Sequence, residues 1–139
     1  MIVLDTNVIS ALMRDTPDET IIRWLDRQQR ASIWTTSINV FETRFGLYIM
    51  PAGKRQAAMM ALFERVISDT IQGRIALFDS DAAQQAAELH AQRKVKGRPG
   101  ELRDTMIAGI VLASHATLAT RNVRHFDDIA SSLVNPWEA

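Results

Sequence analysis

The chain of 139 residues contains no cysteine. Disulfides, thiolate zinc sites and thiol nucleophiles are excluded together. Excess charge of either sign is also missing, because 16 lysines and arginines balance 16 aspartates and glutamates. No overall positive field advertises a polyanionic partner, so any nucleic-acid contact must come from local clusters. No apolar run approaches the roughly 20 residues that a membrane span needs. The opening Met1-Ile2-Val3-Leu4-Asp5 carries neither the charged segment nor the long apolar stretch of a secretory signal. The expectation is a soluble, cytoplasmic protein with no membrane partner. Neither a P-loop nor a GxGxxG stretch occurs, so nucleotide cradling of those types has no support. His90, His115 and His125 are scattered at spacings that suit no zinc motif.

What is present describes one α/β domain over residues 1–139. A hydrophobic fraction of 47% and a charged fraction of 23% are those of an ordinary globular protein. Ile2-Val3-Leu4 is apolar on both faces, as expected for the middle of a parallel sheet covered by helices. Further short strands are expected at Ile33–Thr36, Ile75–Phe78 and Thr117–Thr120, with a short one at Leu133-Val134. Helices are expected from Val8, from Thr20, and from Ile38 to about Ile49, the last capped by Ser37. Others should run from Lys54 to about Ile71, from Ala82 to about Val95, and from Leu102 to His115. Strands alternating with helices predict βαβ units and a central, mostly parallel β-sheet flanked by helices. Trp24, Trp34 and Trp137 read as packing residues.

In such sheets the working site lies off the carboxyl ends of the strands. Asp5-Thr6-Asn7 follows the first strand, and Arg121-Asn122 follows the fourth. Asp5 or Asn7 is also a good helix cap. Glu42 shares a helical stripe with Ile38, Phe45 and Ile49, where a carboxylate is costly unless it is paired or holds a cation. Its alternative is an arginine from another element. Asp104 precedes Ile107 and Val111 on one helical face, in the first turn, where the helix dipole should lower its pKa. Three such carboxylates would repel one another unless a hard divalent cation joined them. An oxygen-only set suits Mg²⁺ or Mn²⁺. Arg93, Lys94, Lys96 and Arg98 lead into Asp104, while Arg121, Arg124 and His125 cluster after the fourth strand. These basic groups are candidates for holding phosphates, the alternative being ordinary solvated surface.

Four segments, in order, resemble PIN-domain proteins. They are Ile2-Val3-Leu4-Asp5-Thr6-Asn7-Val8-Ile9-Ser10, Phe41-Glu42, Arg103-Asp104-Thr105-Met106-Ile107-Ala108 and Leu118-Ala119-Thr120-Arg121-Asn122. The similarity is to VapC toxins, especially the FitB-like branch, whose members also tend to end near a motif such as Asn135-Pro136-Trp137. The resemblance implies a single PIN-like domain and a Mg²⁺-dependent endoribonuclease acting on RNA. Asp5 and Asp104 would be its principal metal ligands, with Glu42 and Asn122 completing the catalytic set and Thr6 and Asn7 in support. The fourth position is often aspartate in the family. Here it is the neutral Asn122, and Asp127 is the other group that would supply the charge. The resemblance further implies a homodimer and a complex with a small cognate antitoxin that carries its own DNA-binding domain, in keeping with the lack of a helix-turn-helix signature here. A phosphatase built on a strand-end aspartate is the competing enzyme, but Asn7 stands where that class wants a second aspartate. The competing non-enzymatic reading is a catalytically weak subunit of an antitoxin-dependent, DNA-binding repressor complex.

Overall fold

The computed structural model describes residues 1–139. Its elements run β1 (Ile2–Leu4), α1 (Thr6–Leu12), α2 (Glu19–Asp26), β2 (Ile33–Thr36), α3 (Ser37–Tyr48), α4 (Lys54–Arg65), β3 (Ile75–Ala76), α5 (Ser80–Val95), α6 (Leu102–Ser114), β4 (Thr117–Ala119) and β5 (Leu133–Val134). The five strands form one sheet in the order β3-β2-β1-β4-β5, and every adjacent pair is parallel. Val3 pairs with Trp34 on one side and Leu118 on the other, which sets β1 at the centre.

Side chains alternate across a strand, so β1 feeds two cores. Leu4 packs with Val8, Ile9, Ile21 and Phe63 on one face. Val3 packs with Ile107, Val111, Leu118 and Phe126 on the other. On this second face α5 and α6 touch closely at Gly109, where a Cβ would stand 2.5 Å from the Ala82 carbonyl oxygen. Only glycine fits there. Side-chain caps start the helices: Asp5 for α1, Asp18 for α2, Thr36 for α3 and Asp79 for α5.

Three sequence expectations change in detail. The helix expected to run from Lys54 to Ile71 does so, but its last stretch, Val66–Ile71, is wound as a π-helix. Val66 and Ile71 are both buried, and the wider winding brings positions five apart over one another. β3 stops at Ala76 instead of Phe78, because β2 ends at Thr36 and offers nothing further to pair with; the Phe78 N–H donates to Ser37 Oγ at 3.1 Å. The cap of α3 is Thr36, one residue before the expected Ser37. No helix is long and apolar enough to cross a membrane.

Strand order reverses direction between β1 and β4. Ligands of open α/β sheets bind in the crevice at such a switch point, outside the strand carboxyl ends. Asp5 follows β1 and Thr120 follows β4 at this place.

Candidate active site

Asp5 is 95% buried, and its carboxylate is held from four directions. Oδ1 accepts from the Thr6 backbone N–H at 2.8 Å and from Asn39 Nδ2 at 3.0 Å. Oδ2 accepts from Thr120 Oγ1 at 2.7 Å and more distantly from Asn7 Nδ2 at 3.5 Å. The capping role expected for Asp5 is therefore present, and the same carboxylate lies at the strand-end crevice. Asn7 also braces the end of β4, donating to Thr120 Oγ1 and accepting from the Arg121 backbone N–H at 3.1 Å.

Glu42 reaches the same place from α3. Its Oε1 accepts from Thr6 Oγ1 at 3.4 Å, and Arg103 of α6 stands 3.9 Å from Oε2. The expected arginine partner from another element thus exists, at long range. The apolar stripe does not lie on the core, however. Phe45 and Ile49 are exposed, as are Phe41 and Tyr48. Glu42 is half-buried because it sits between α1 and α6 (against Thr6 and Arg103), not because its helix face is covered. Burial is the first cause that pushes its pKa up, followed by repulsion from Asp5; Asp104 repels it too, against the attraction of Arg103.

Asp104 opens α6 and is also partly buried. The expectation that the helix dipole would lower its pKa is reversed. Burial, and then the Asp5 charge, raise it, outweighing a 3.0 Å contact between Asp104 Oδ2 and His125 Nδ1. Asp5, Glu42 and Asp104 therefore feel one another's charge across the switch-point crevice. They supply only oxygen donors, which suits a hard divalent cation in chemistry. No three acidic or histidine groups are drawn close enough to form a ready-made metal cage. The fit is one of donor type and charge, with the three carboxylates apart.

The remaining expected residues divide. Asn122 is exposed next to this group, its backbone N–H bonded to Thr120 Oγ1 at 3.0 Å. Asp127 is exposed and shares with Asp104, Arg98, Arg124 and His125 the wall of a polar cavity of about 230 Å³. Lys94, Lys96 and Arg98 are exposed, as a phosphate contact requires. Arg93 is not. It is 96% buried and spends its guanidinium on Asp128, at 2.8 and 2.7 Å, on Thr105 Oγ1 and on the His125 carbonyl. Arg93 therefore leaves the phosphate set. Lys94 faces solvent because α5 turns only one side toward α6, and Lys96 and Arg98 lie beyond its end at Val95.

Two site residues escaped sequence reasoning. Thr120 was expected as the last residue of the fourth strand, but the strand ends at Ala119, which leaves Thr120 as the first residue past its carboxyl end. Asn39 lies three residues before Glu42, on the same helix face, and that spacing was its available signal.

Residues 2–131 match the PIN domain family, and the chain belongs to that family. It is 39% identical over 138 residues to the VapC ribonuclease Y4jK of Sinorhizobium fredii, covering 99% of each chain. The crystal structure of FitAcB from Neisseria gonorrhoeae superposes with a TM-score of 0.88 at 32% identity over the whole of both chains. The structure of FitAB bound to an IR36 DNA fragment gives 0.86 at 32% identity, covering 99% of this chain and 96% of that one. Within the family the chain stands with the VapC and FitB-like toxins.

Proposed function

We propose that this chain is the toxin of a toxin–antitoxin pair and acts as a Mg²⁺-dependent endoribonuclease, hydrolysing RNA phosphodiester bonds. The observation that carries the reading is the convergence of Asp5, Glu42 and Asp104 on the switch-point crevice, with the proton affinities of Glu42 and Asp104 raised by burial and then by the charge of Asp5. Asp5 and Asp104 would hold Mg²⁺, or Mn²⁺ in its place, beside Glu42 and the neutral carbonyl of Asn122. When bound, such a cation polarises a phosphoryl oxygen and lowers the pKa of water. The chain's own residues do the rest. Thr120, Asn39 and the Thr6 N–H fix both oxygens of Asp5 so that no reorganisation is needed during reaction. Glu42 takes up the proton of the attacking water, its raised affinity bringing it nearer the working pH. Exposed Lys94, Lys96, Arg98 and Arg121 hold flanking phosphates.

The FitAcB and FitAB relatives support a small cognate antitoxin as partner; the reading extends this to an antitoxin with its own DNA-binding domain, in a cytoplasmic hetero-oligomer built on a toxin homodimer. The DNA-bound FitAB relative favours a second role, as a subunit of a DNA-binding repressor complex. Asp5→Asn and Asp104→Asn separate the two. Each variant should abolish Mg²⁺-dependent cleavage of RNA by the purified protein. Without metal, Asp104→Asn should leave thermal unfolding unchanged or shift it upward, since a repelled charge is gone, whereas Asp5→Asn should lower it, because an amide nitrogen cannot accept from the donors that now hold the buried carboxylate. Wild-type protein that cleaves no RNA in Mg²⁺ would leave the repressor role alone standing, and full activity in either variant would refute the site.

A further inference from the structure

The carboxy-terminal Trp137 is tied into the fold in a way that packing alone does not require. Its Nε1–H donates to Asp18 Oδ2 at 3.1 Å, while Asp18 Oδ1 caps α2 through the Thr20 N–H at 2.9 Å. Its backbone N–H closes a turn on Asn135 Oδ1 at 3.0 Å, and Pro136 before it is buried. Arg27, at the other end of α2, donates to the Ala139 carbonyl at 3.2 Å. The tail is therefore strapped along α2 with its indole held in a fixed orientation. Over that indole lies the guanidinium of Arg121, 3.7 Å from the ring centroid.

Arg121 is next in sequence to Thr120, which binds Asp5, and its own backbone N–H is locked by Asn7 Oδ1. Its side chain is exposed and gives no hydrogen bond or ion pair to any group of the protein. The contrast with Arg93 and Arg74 is informative, because those two spend their guanidinium donors on carbonyls and side chains. Stacking restrains the Arg121 plane, while the in-plane N–H donors stay open. Ordering a long side chain is a principal cost of making an ion contact, and here the indole has already met it. A planar fork with free donors beside a polyanion-cleaving crevice suits bidentate capture of a phosphodiester.

We propose that Arg121, positioned by Trp137 and through it by Asp18, is a phosphate clamp for the RNA strand that runs past the end of β4. This rests on the ribonuclease reading above. RNA is favoured over an acidic peptide because a strand with one phosphate at Asp5 must carry its next ones past the adjacent residues of β4. Arg121 is the clamp, and Trp137 is a positioning residue.

The test uses full-length protein carrying Asp104→Asn, so that RNA is bound but not cut and the bonds of Asp5 to Thr120 and Asn7 stay in place, and a labelled single-stranded RNA of mixed sequence. Arg121→Gln should weaken binding about tenfold, the worth of a charged hydrogen bond, and reduce the slope of log affinity against log salt by about 0.7. Trp137→Leu keeps the charge but removes the stack, and should cost about two- to fivefold. Trp137→Phe keeps an aromatic face but loses the Nε1–H tie to Asp18, and should fall between Trp137→Leu and wild type; Arg121→Lys should bind more weakly than wild type, since an ammonium cannot present a planar fork. In the otherwise wild-type background, the loss in Trp137→Leu should fall on KM rather than kcat. Should Trp137→Leu fail to fold, Arg121→Lys and Trp137→Phe still decide the matter. Wild-type affinity and salt slope in Arg121→Gln, or equality of Arg121→Lys with wild type, would overturn the clamp. So would variants that lose only antitoxin affinity. Absence of cleavage by the wild-type enzyme would instead remove the parent reading.

Discussion

Replacing Arg93 by methionine tests whether this arginine holds the fold or the substrate. The guanidinium makes two bonds to Asp128, one to Thr105 Oγ1 and one to the His125 carbonyl, and its side chain is 5% exposed. It thereby joins α5 to the first turn of α6 and to the 3₁₀ turn Val123–Phe126. Breaking a buried charge pair costs about 3–5 kcal/mol, because the surviving partners are left unsatisfied. Asp128 is 35% exposed and recovers water once Arg93 is gone, so the lower end, about 3 kcal/mol, applies. For a chain of this length, each kcal/mol moves Tm by roughly 3–4 °C, and the expected fall is roughly 10 °C. Lys94→Met, one position away and exposed, should change stability by no more than about 0.5 kcal/mol. A double-mutant cycle with Asp128→Asn assigns the loss to the pair, and scanning calorimetry with urea titration supplies the free energies. A loss below about 1 kcal/mol, or weakened RNA binding with stability intact, would refute the structural assignment and return Arg93 to the phosphate-binding residues.

Two further outcomes follow from the charge arrangement. Glu42 and Asp104 hold protons more tightly in the folded chain than in the unfolded one, so between the ordinary carboxylate pKa values and the raised ones the native state binds more protons. Stability of the metal-free protein should therefore rise as pH falls from neutral through that window. It should then fall at lower pH, as Asp128 and Asp18, whose pKa values are depressed by Arg93 and by Trp137 respectively, become protonated. Tm measured against pH in chelator checks this, and a steady fall from neutral downward would contradict it. Asn122→Asp adds a fourth carboxylate at an exposed position beside Thr120. It should tighten Mg²⁺ or Mn²⁺ binding to the free protein about fivefold, from about 1 kcal/mol of added attraction. Titration calorimetry showing no change would place Asn122 away from the metal.

The alternation of β-branched runs with helical patterns was enough to predict a parallel sheet, because side-chain period and strand burial are local properties of the chain. The identities of Asp5, Glu42 and Asp104 were legible for the same reason: a carboxylate at a strand end or within an apolar pattern is conspicuous in sequence. Long-range placement was not. The stripe of Phe45 and Ile49 has helical spacing whether or not another element covers it, and only the packing of α3 reveals that it faces out. Arg93 and Arg98 read alike in a basic run, but Arg93 lies on the side of α5 that packs toward α6, and Arg98 lies in the exposed loop beyond the end of α5. The rise in Asp104's pKa has the same origin. A helix dipole can be read from the sequence, whereas desolvation and the approach of Asp5, 99 positions earlier in the chain, exist only once β1 and α6 have met across the sheet.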